Sequence, residues 1–158
     1  MSVGDGDQAP EFEMPATGGR TVRLADMKGK SFILYFYPKA DTPGCTKEAC
    51  AFQAEMPAFS GIGMDVIGVS PDKMKPIEKF AAKYNLTFPL ASDEDHAVAE
   101  RYGTWVEKSM YGKKYMGMER TTFLIDSSGK IAKSWRKVSV TGHAEDVLKA
   151  ARALGVAA

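Results

Sequence analysis

The sequence predicts an α/β fold with a mixed central β-sheet flanked by helices. Two apolar runs, residues 31–37 and 64–70, are each followed by helix signals, the order of a strand and its crossover helix. A hairpin signal across 122–135 and a closing amphipathic helix complete the alternation. At 158 residues the chain suits one domain, 1–158, with a single substantial core.

Taken in order, the stretch through Gly19 is rich in Gly, Pro and acidic residues and reads as an irregular lead-in. Residues 21–24 suit a short strand, and 24–29 a helical turn ended by Gly29. The run from Ser31 to Tyr37 is apolar on both faces, as in a central strand covered on each side. Pro38 to Gly44 reads as a strand-to-helix turn, with Thr42 as N-cap and Pro43 at the first helical position. The helix then covers Cys45 to about Glu55 and is stopped by Pro57. Residues 64–70 make a second central strand ended by Pro71. Met74, Ile77, Phe80, Ala81 and Tyr84 recur at helical spacing, with Pro76 tolerable in the first turn. Phe88 to Ala91 is strand-like, and a helix from about His96 to Tyr102 follows. Residues 107–119 mix Lys108, Lys113 and Lys114 with Met110, Tyr111, Tyr115 and Met116, and read as a solvated loop. Its place just before Arg120 also suits a loop folded over a site. Residues 122–126 and 130–135, joined across Ser127-Ser128-Gly129, form the hairpin. The last helix, Gly142 to Leu154, puts Val147, Leu148, Ala151 and Leu154 on one face.

Charge nearly balances, at net +1, and Lys and Arg are spread along the chain, so nucleic acid and anionic membrane are not expected partners. The first ten residues carry no basic region followed by an apolar one, and no later stretch approaches membrane-spanning length. A cytoplasmic protein is expected. The isolated histidines, His96 and His143, lack neighbours at metal-ligand spacing and read as surface or helix-end residues; no metal or other cofactor is expected. Trp105 and Trp135 read as core or edge packing, with Trp105 a candidate for a site rim. The nine methionines read as gap-fillers, and Asp93-Glu94-Asp95 as the acidic first turn of the next helix.

The chemistry concentrates in the two cysteines, Cys45 and Cys50. Cys45 falls in the first turn of its helix, where the dipole stabilises a thiolate, the nucleophilic form of sulfur. Residues five apart on a helix lie roughly 8–9 Å apart between Cα atoms, beyond the reach of about 7 Å that a disulfide needs. If the two pair, the helix must open. Inert buried cysteines are the alternative; the Thr42-Pro43-Gly44 turn ahead of Cys45 favours a working, reversible pair. In a reducing compartment two cysteines are more often redox-active than a staple.

Pro38, Thr42 and Cys45 match the Pro-x-x-x-Thr-x-x-Cys signature of peroxiredoxins, and Cys45-x-x-x-x-Cys50 resembles the bacterioferritin comigratory protein (peroxiredoxin Q) subgroup. The segment from Gly117 to Asp126 is similar to that family's second active-site segment, which carries an arginine, here Arg120. Similarity also runs through Gly4–Pro10 and Val66–Pro71, so it covers almost the whole chain. The resemblance implies a single-domain thioredoxin-like fold. It implies a thioredoxin-dependent peroxidase of the atypical two-cysteine kind, with Cys45 as peroxidatic and Cys50 as resolving thiol.

On that resemblance a hydroperoxide is attacked by the Cys45 thiolate. Arg120 would hold thiolate and peroxide through a permanently charged fork. Thr42 would cap the Cys45 N–H or face the sulfur, Pro38 would shield it from water, and the N–H groups of Gly44 and Cys45 would bind the substrate oxygen. The resulting sulfenic acid would condense with Cys50 and be recycled by thioredoxin or a glutaredoxin-like protein. An intrachain resolving thiol removes the need for a dimer, so a monomer is expected. Thiol–disulfide exchange as in thioredoxin normally uses Cys-x-x-Cys, which is lacking here. A redox-switched sensor or chaperone is the non-enzymatic rival, separable by the speed of Cys45 oxidation. A cysteine protease is disfavoured because neither histidine has a recognisable motif around it.

Overall fold

The computed structural model describes residues 3–157, so Met1 and Ser2 of the lead-in lie outside the described residues, as does Ala158. The elements in chain order are β1 (Glu13–Ala16), β2 (Arg20–Arg23), β3 (Phe32–Phe36), α1 (Pro43–Gly61), β4 (Asp65–Ser70), α2 (Met74–Tyr84) and β5 (Leu90–Ser92). They continue with α3 (Ala97–Tyr102), β6 (Trp105–Met110), β7 (Lys113–Met118), β8 (Thr121–Ile125), β9 (Ile131–Trp135) and α4 (His143–Ala157). Seven strands form one sheet in the order β2-β1-β5-β4-β3-β8-β9. β3, β4 and β5 run parallel, whereas β8 is antiparallel to β3 and β9 to β8. The expected mixed sheet is therefore present.

β3 lies inside the sheet and is buried on both faces, as its unbroken apolar run requires. Ile33, Tyr35 and Tyr37 point into a layer shared with Phe52 and Phe59 of α1, Ile77 and Phe80 of α2, and Val147 and Leu148 of α4. Phe32, Leu34 and Phe36 point the other way, against Phe12, Tyr102, Phe123 and residues of α3. The period-2 alternation of one strand thus feeds two apolar layers, and Cys45 belongs to the first.

Three elements differ from expectation. The lead-in contains a strand, β1, in which Met14 and Ala16 are buried between exposed neighbours. Pro15 lacks an N–H to give, and β1 meets β5 at a single register pair, Ala16 with Ala91. Residues 107–119 are not a loop but most of a two-stranded hairpin, β6 with β7, turned by Tyr111 (φ 52°) and Gly112 (φ 76°). Positive φ at both turn positions is the hairpin geometry that suits strand twist. Finally, α1 continues through Pro57 to Gly61. A proline inside a helix costs about 3 kcal/mol; beyond it Phe59 is fully buried with its ring 6.2 Å from that of Phe52, burial that offsets the cost. α2, with Pro76 in its first turn, and the hairpin of β8 and β9 lie where the sequence places them. α4 begins at His143.

Candidate active site

The turn from Pro38 to Thr42 leads β3 into α1 and is pinned from the link between β4 and α2 and from α2 itself. The Ala40 N–H donates to Asp72 Oδ2 at 2.7 Å, and Asp41, held at φ 60°, accepts from Lys83 Nζ at 3.0 Å and the Tyr84 hydroxyl at 2.8 Å. Thr42 occupies the N-cap position with extended backbone and Pro43 follows at the helix start. The Thr46 N–H donates to the Thr42 carbonyl, 2.8 Å. The Thr42 side chain does not cap the helix, however: its hydroxyl donates to the Lys39 carbonyl at 2.8 Å. That local bond competes successfully with capping. The N–H groups of Gly44 and Cys45, in the first turn, have no acceptor among the described residues and carry the positive end of the helix dipole.

Cys45 is 2 % exposed, whereas Cys50, five residues along the same intact helix, is exposed; neither is in a disulfide. Against Cys45 lies Arg120, in the link between β7 and β8. Its Nη2 donates to Cys45 Sγ at 3.4 Å and its Nη1 to Glu48 Oε1 at 2.7 Å. Gly44 makes room for it: a Cβ at that position would stand 3.1 Å from Arg120 Nη2.

Glu48 is the residue that sequence reasoning missed. It is 1 % exposed, and its Oε2 has no partner. Burial pushes its carboxyl up to about 7, with Arg120 pulling part of the way back. Arg120 itself loses some preference for charge to burial but is raised overall by Glu48 and Cys45, so it stays cationic. The signal for Glu48 was available, because positions 45, 49 and 52 define the buried stripe of α1 and a carboxylate among them is out of place. Beneath the site the hydroxyls of Tyr35 and Tyr37 are buried without partners, and burial raises both well above the ordinary phenol range.

The structure thus brings Cys45, Arg120 and Gly44 together, puts Thr42 and the half-buried Pro38 in the turn ahead of them, and leaves Cys50 on the outer face of α1. His143 is a helix-end residue but not a surface one: it is 5 % exposed, shares a hydrogen bond of 2.8 Å with Thr122 Oγ1, and meets Phe52 and Trp135 edge-on. Burial pushes it down to about 4. His96 precedes α3 at φ 50° and stacks flat on Trp105 at 4.1 Å, on the opposite side of the sheet from Cys45 rather than at a site rim. Asp93, expected as part of an acidic first turn, caps α3 through the Val98 and Ala99 N–H groups.

The sequence pattern of the AhpC/TSA family matches residues 6–134. The chain belongs to the AhpC/TSA family of peroxiredoxins. This peroxiredoxin is 51% identical over 148 residues to the putative peroxiredoxin bcp of Coxiella burnetii, spanning 94% of this chain and 98% of that one. It is 46% identical over 149 residues to peroxiredoxin Bcp of Bacillus subtilis, covering 94% and 95% of the two chains. Among solved structures it resembles Xanthomonas campestris peroxiredoxin Q, with a TM-score of 0.87 and 42% identity over 91% of each chain. The Xylella fastidiosa peroxiredoxin Q variant gives 0.89 and 38%, covering 97% and 96%. The peroxiredoxin has the thioredoxin-like fold of these relatives and, like them, is a peroxide-reducing oxidoreductase. Among the described residues no helix is long and apolar enough to cross a membrane.

Proposed function

We propose that this peroxiredoxin reduces hydroperoxides through Cys45 and resolves the product through Cys50. The observation that carries the assignment is the 3.4 Å contact from Arg120 Nη2 to a buried sulfur in the first turn of a helix. Two positive influences, guanidinium and helix terminus, converge there on the one atom whose anionic form attacks peroxide.

The thiolate attacks one oxygen of ROOH, the O–O bond breaks, and ROH departs after taking one proton, leaving sulfenic acid at Cys45. Negative charge developing on the leaving oxygen is met by Arg120 and by the unpaired N–H groups of Gly44 and Cys45. The Thr42 hydroxyl, its hydrogen committed to Lys39, keeps lone pairs to accept from the peroxide O–H. Pro38 limits water at the sulfur. The Cys50 thiol then condenses with the sulfenic acid, forming the disulfide and releasing water. An external dithiol, thioredoxin or a glutaredoxin-like protein, takes over the disulfide and restores both thiols.

Organic hydroperoxides and hydrogen peroxide are the proposed substrates; the bacterioferritin comigratory protein of Xanthomonas campestris is described as having alkyl peroxide reduction activity. Because the resolving thiol is in the same chain, the cycle runs in a monomer, as one domain of residues 1–158, and its dithiol reductant suits the cytoplasm. The test is stopped-flow oxidation of Cys45 by peroxide, followed by turnover coupled to thioredoxin and its reductase. A rate no faster than that of a free thiol overturns the assignment.

A further inference from the structure

Lys108 lies on β6 in the hairpin that leads into Arg120. Its register partner is Tyr115, and it shares a face with Val106 and Gly117. The side chain is only half exposed and crosses Gly117, where an added Cβ would stand 3.2 Å from Lys108 Cδ and 3.5 Å from Cε. Absence of a side chain at 117 is therefore what lets the lysine stem cross the strand. At its end Nζ donates to the Met118 carbonyl, two residues before Arg120.

That bond belongs to a set. The Glu119 N–H donates to the Thr104 carbonyl at 2.7 Å, the Thr121 hydroxyl to the Glu119 carbonyl at 3.2 Å, and the Val138 N–H to the Arg120 carbonyl at 3.0 Å. Three successive carbonyls, 118 to 120, are thus each held by a donor. Of these donors only Lys108 carries a charge. Burial and the neighbouring Arg120 cation hold its ammonium below the ordinary lysine range. The titratable or charged groups facing Cys45 are Arg120, Glu48 on its own helix, and the Tyr35 and Tyr37 hydroxyls of β3.

We propose that Lys108 is a positioning residue of the Cys45 site: steered across Gly117 onto the Met118 carbonyl, it holds the chain leading into Arg120 and so keeps the guanidinium against the sulfur. It acts through Arg120, whose Nη2 is the group that meets the sulfur. The role rests on Cys45 being the attacking thiolate.

Lys108→Met keeps an unbranched stem over Gly117 and removes the charge, whereas Lys108→Arg keeps a cation. In a Cys50→Ser background, the pH dependence of iodoacetamide alkylation reads the Cys45 thiolate alone, and stopped-flow oxidation by hydrogen peroxide reads the rate. Lys108→Met should raise the alkylation midpoint by roughly half a unit to one unit and slow oxidation near neutral pH roughly three- to tenfold. Lys108→Arg should restore both to within about twofold. A slower rate at an unchanged midpoint, or failure of Lys108→Arg to restore the midpoint, overturns the proposal. If Lys108→Met does not fold, Gly117→Ala displaces the lysine stem instead, and an unchanged midpoint there also overturns it. Should the parent protein fail to react with peroxide, the assignment of Cys45 falls while the alkylation series still decides the role of Lys108.

Discussion

Two buried groups on the same layer should give the stability of this protein opposing pH dependences between about 4.5 and 6.5, and either substitution should expose the slope of the other. Glu48 rises from 4.5 to about 7 on folding. A carboxyl raised in this way contributes stability that is fully present below 4.5 and is lost as pH climbs through 7, because the native state keeps a proton the unfolded chain has released. His143 falls from 6.5 to about 4. Its contribution is present above 6.5 and is lost as pH drops through 4, because the unfolded chain takes up a proton the native state refuses. Each shift corresponds to about 3 kcal/mol over its full range. Inside the shared window one proton is gained on folding at Glu48 and one is lost at His143, so slopes of about 1.4 kcal/mol per pH unit cancel. Glu48→Gln keeps an oxygen for Arg120 Nη1, and His143→Gln keeps a partner for Thr122. Urea unfolding of reduced protein, followed by far-UV circular dichroism near pH 5 and near pH 6.5, reads the effect as differences from wild type. Over that interval Glu48→Gln should gain roughly 2 kcal/mol relative to wild type as pH rises, and His143→Gln should lose roughly as much. Parallel pH dependence in all three proteins would refute the burial of one or both groups in their neutral forms.

Arg120→Met should slow Cys45 oxidation roughly ten- to a hundredfold, the loss of one charge-assisted hydrogen bond of about 1.5–3 kcal/mol; Arg120→Lys should recover little of it, because one ammonium cannot serve Glu48 and the sulfur together. Stopped-flow rate constants within threefold of wild type would return Arg120 to a packing role. Cys45→Ser should abolish peroxidase activity, whereas Cys50→Ser should consume about one equivalent of peroxide and then stall with thioredoxin. Gly44→Ala places a methyl group 3.1 Å from Arg120 Nη2, so peroxide reactivity should fall even though alanine favours the helix by about 1 kcal/mol in thermal unfolding. On forming the Cys45–Cys50 disulfide, amide exchange should lose protection across residues 46–51 and keep it from Phe52 onward; loss beyond Phe52 would show that its stacking on Tyr35, at 4.6 Å, does not hold the helix.

The elements that were legible in the sequence are those whose pattern and packing agree. The double-sided burial of β3 follows from its unbroken apolar run, and the amphipathic spacing of α2 and α4 reappears in Ile77, Phe80, Val147 and Leu148 at the core. What was not legible depends on partners distant in sequence. Pro57 is a local stop signal, overruled by the burial of Phe59. Pro15 and the acidic neighbours of Met14 hid β1, although Phe12, Met14 and Ala16 alternate as a strand should. Tyr111 is an unusual residue at φ 52°, so the turn that makes a hairpin of β6 and β7 lacks the usual Asn-Gly or Asp-Gly mark. At the site, Cys45 was visible from its helix start and Arg120 from resemblance. The contact between them spans 75 positions and exists only because β8 lies beside β3, whose end feeds α1.

The contacts that ready Cys45 also oppose the next step of the proposed cycle. Bringing Cys45 to Cys50 requires α1 to open, and opening must take the sulfur from Arg120 Nη2 and Glu48 Oε1 from Nη1 together, since both lie in the first two turns. Attack on peroxide changes the balance, because sulfenic acid lacks the full negative charge of the thiolate and its bond to the guanidinium weakens accordingly. Glu48 remains, and near pH 7 about half of it is neutral, so the lock is loosest where the carboxyl is protonated. Glu48→Gln, whose amide cannot ionise, should therefore form the disulfide faster than wild type at a fixed pH above 7, where the ionisation of Cys50 affects both proteins alike. Equal rates of disulfide formation in the two proteins would show that the Arg120 to Glu48 pair does not govern opening.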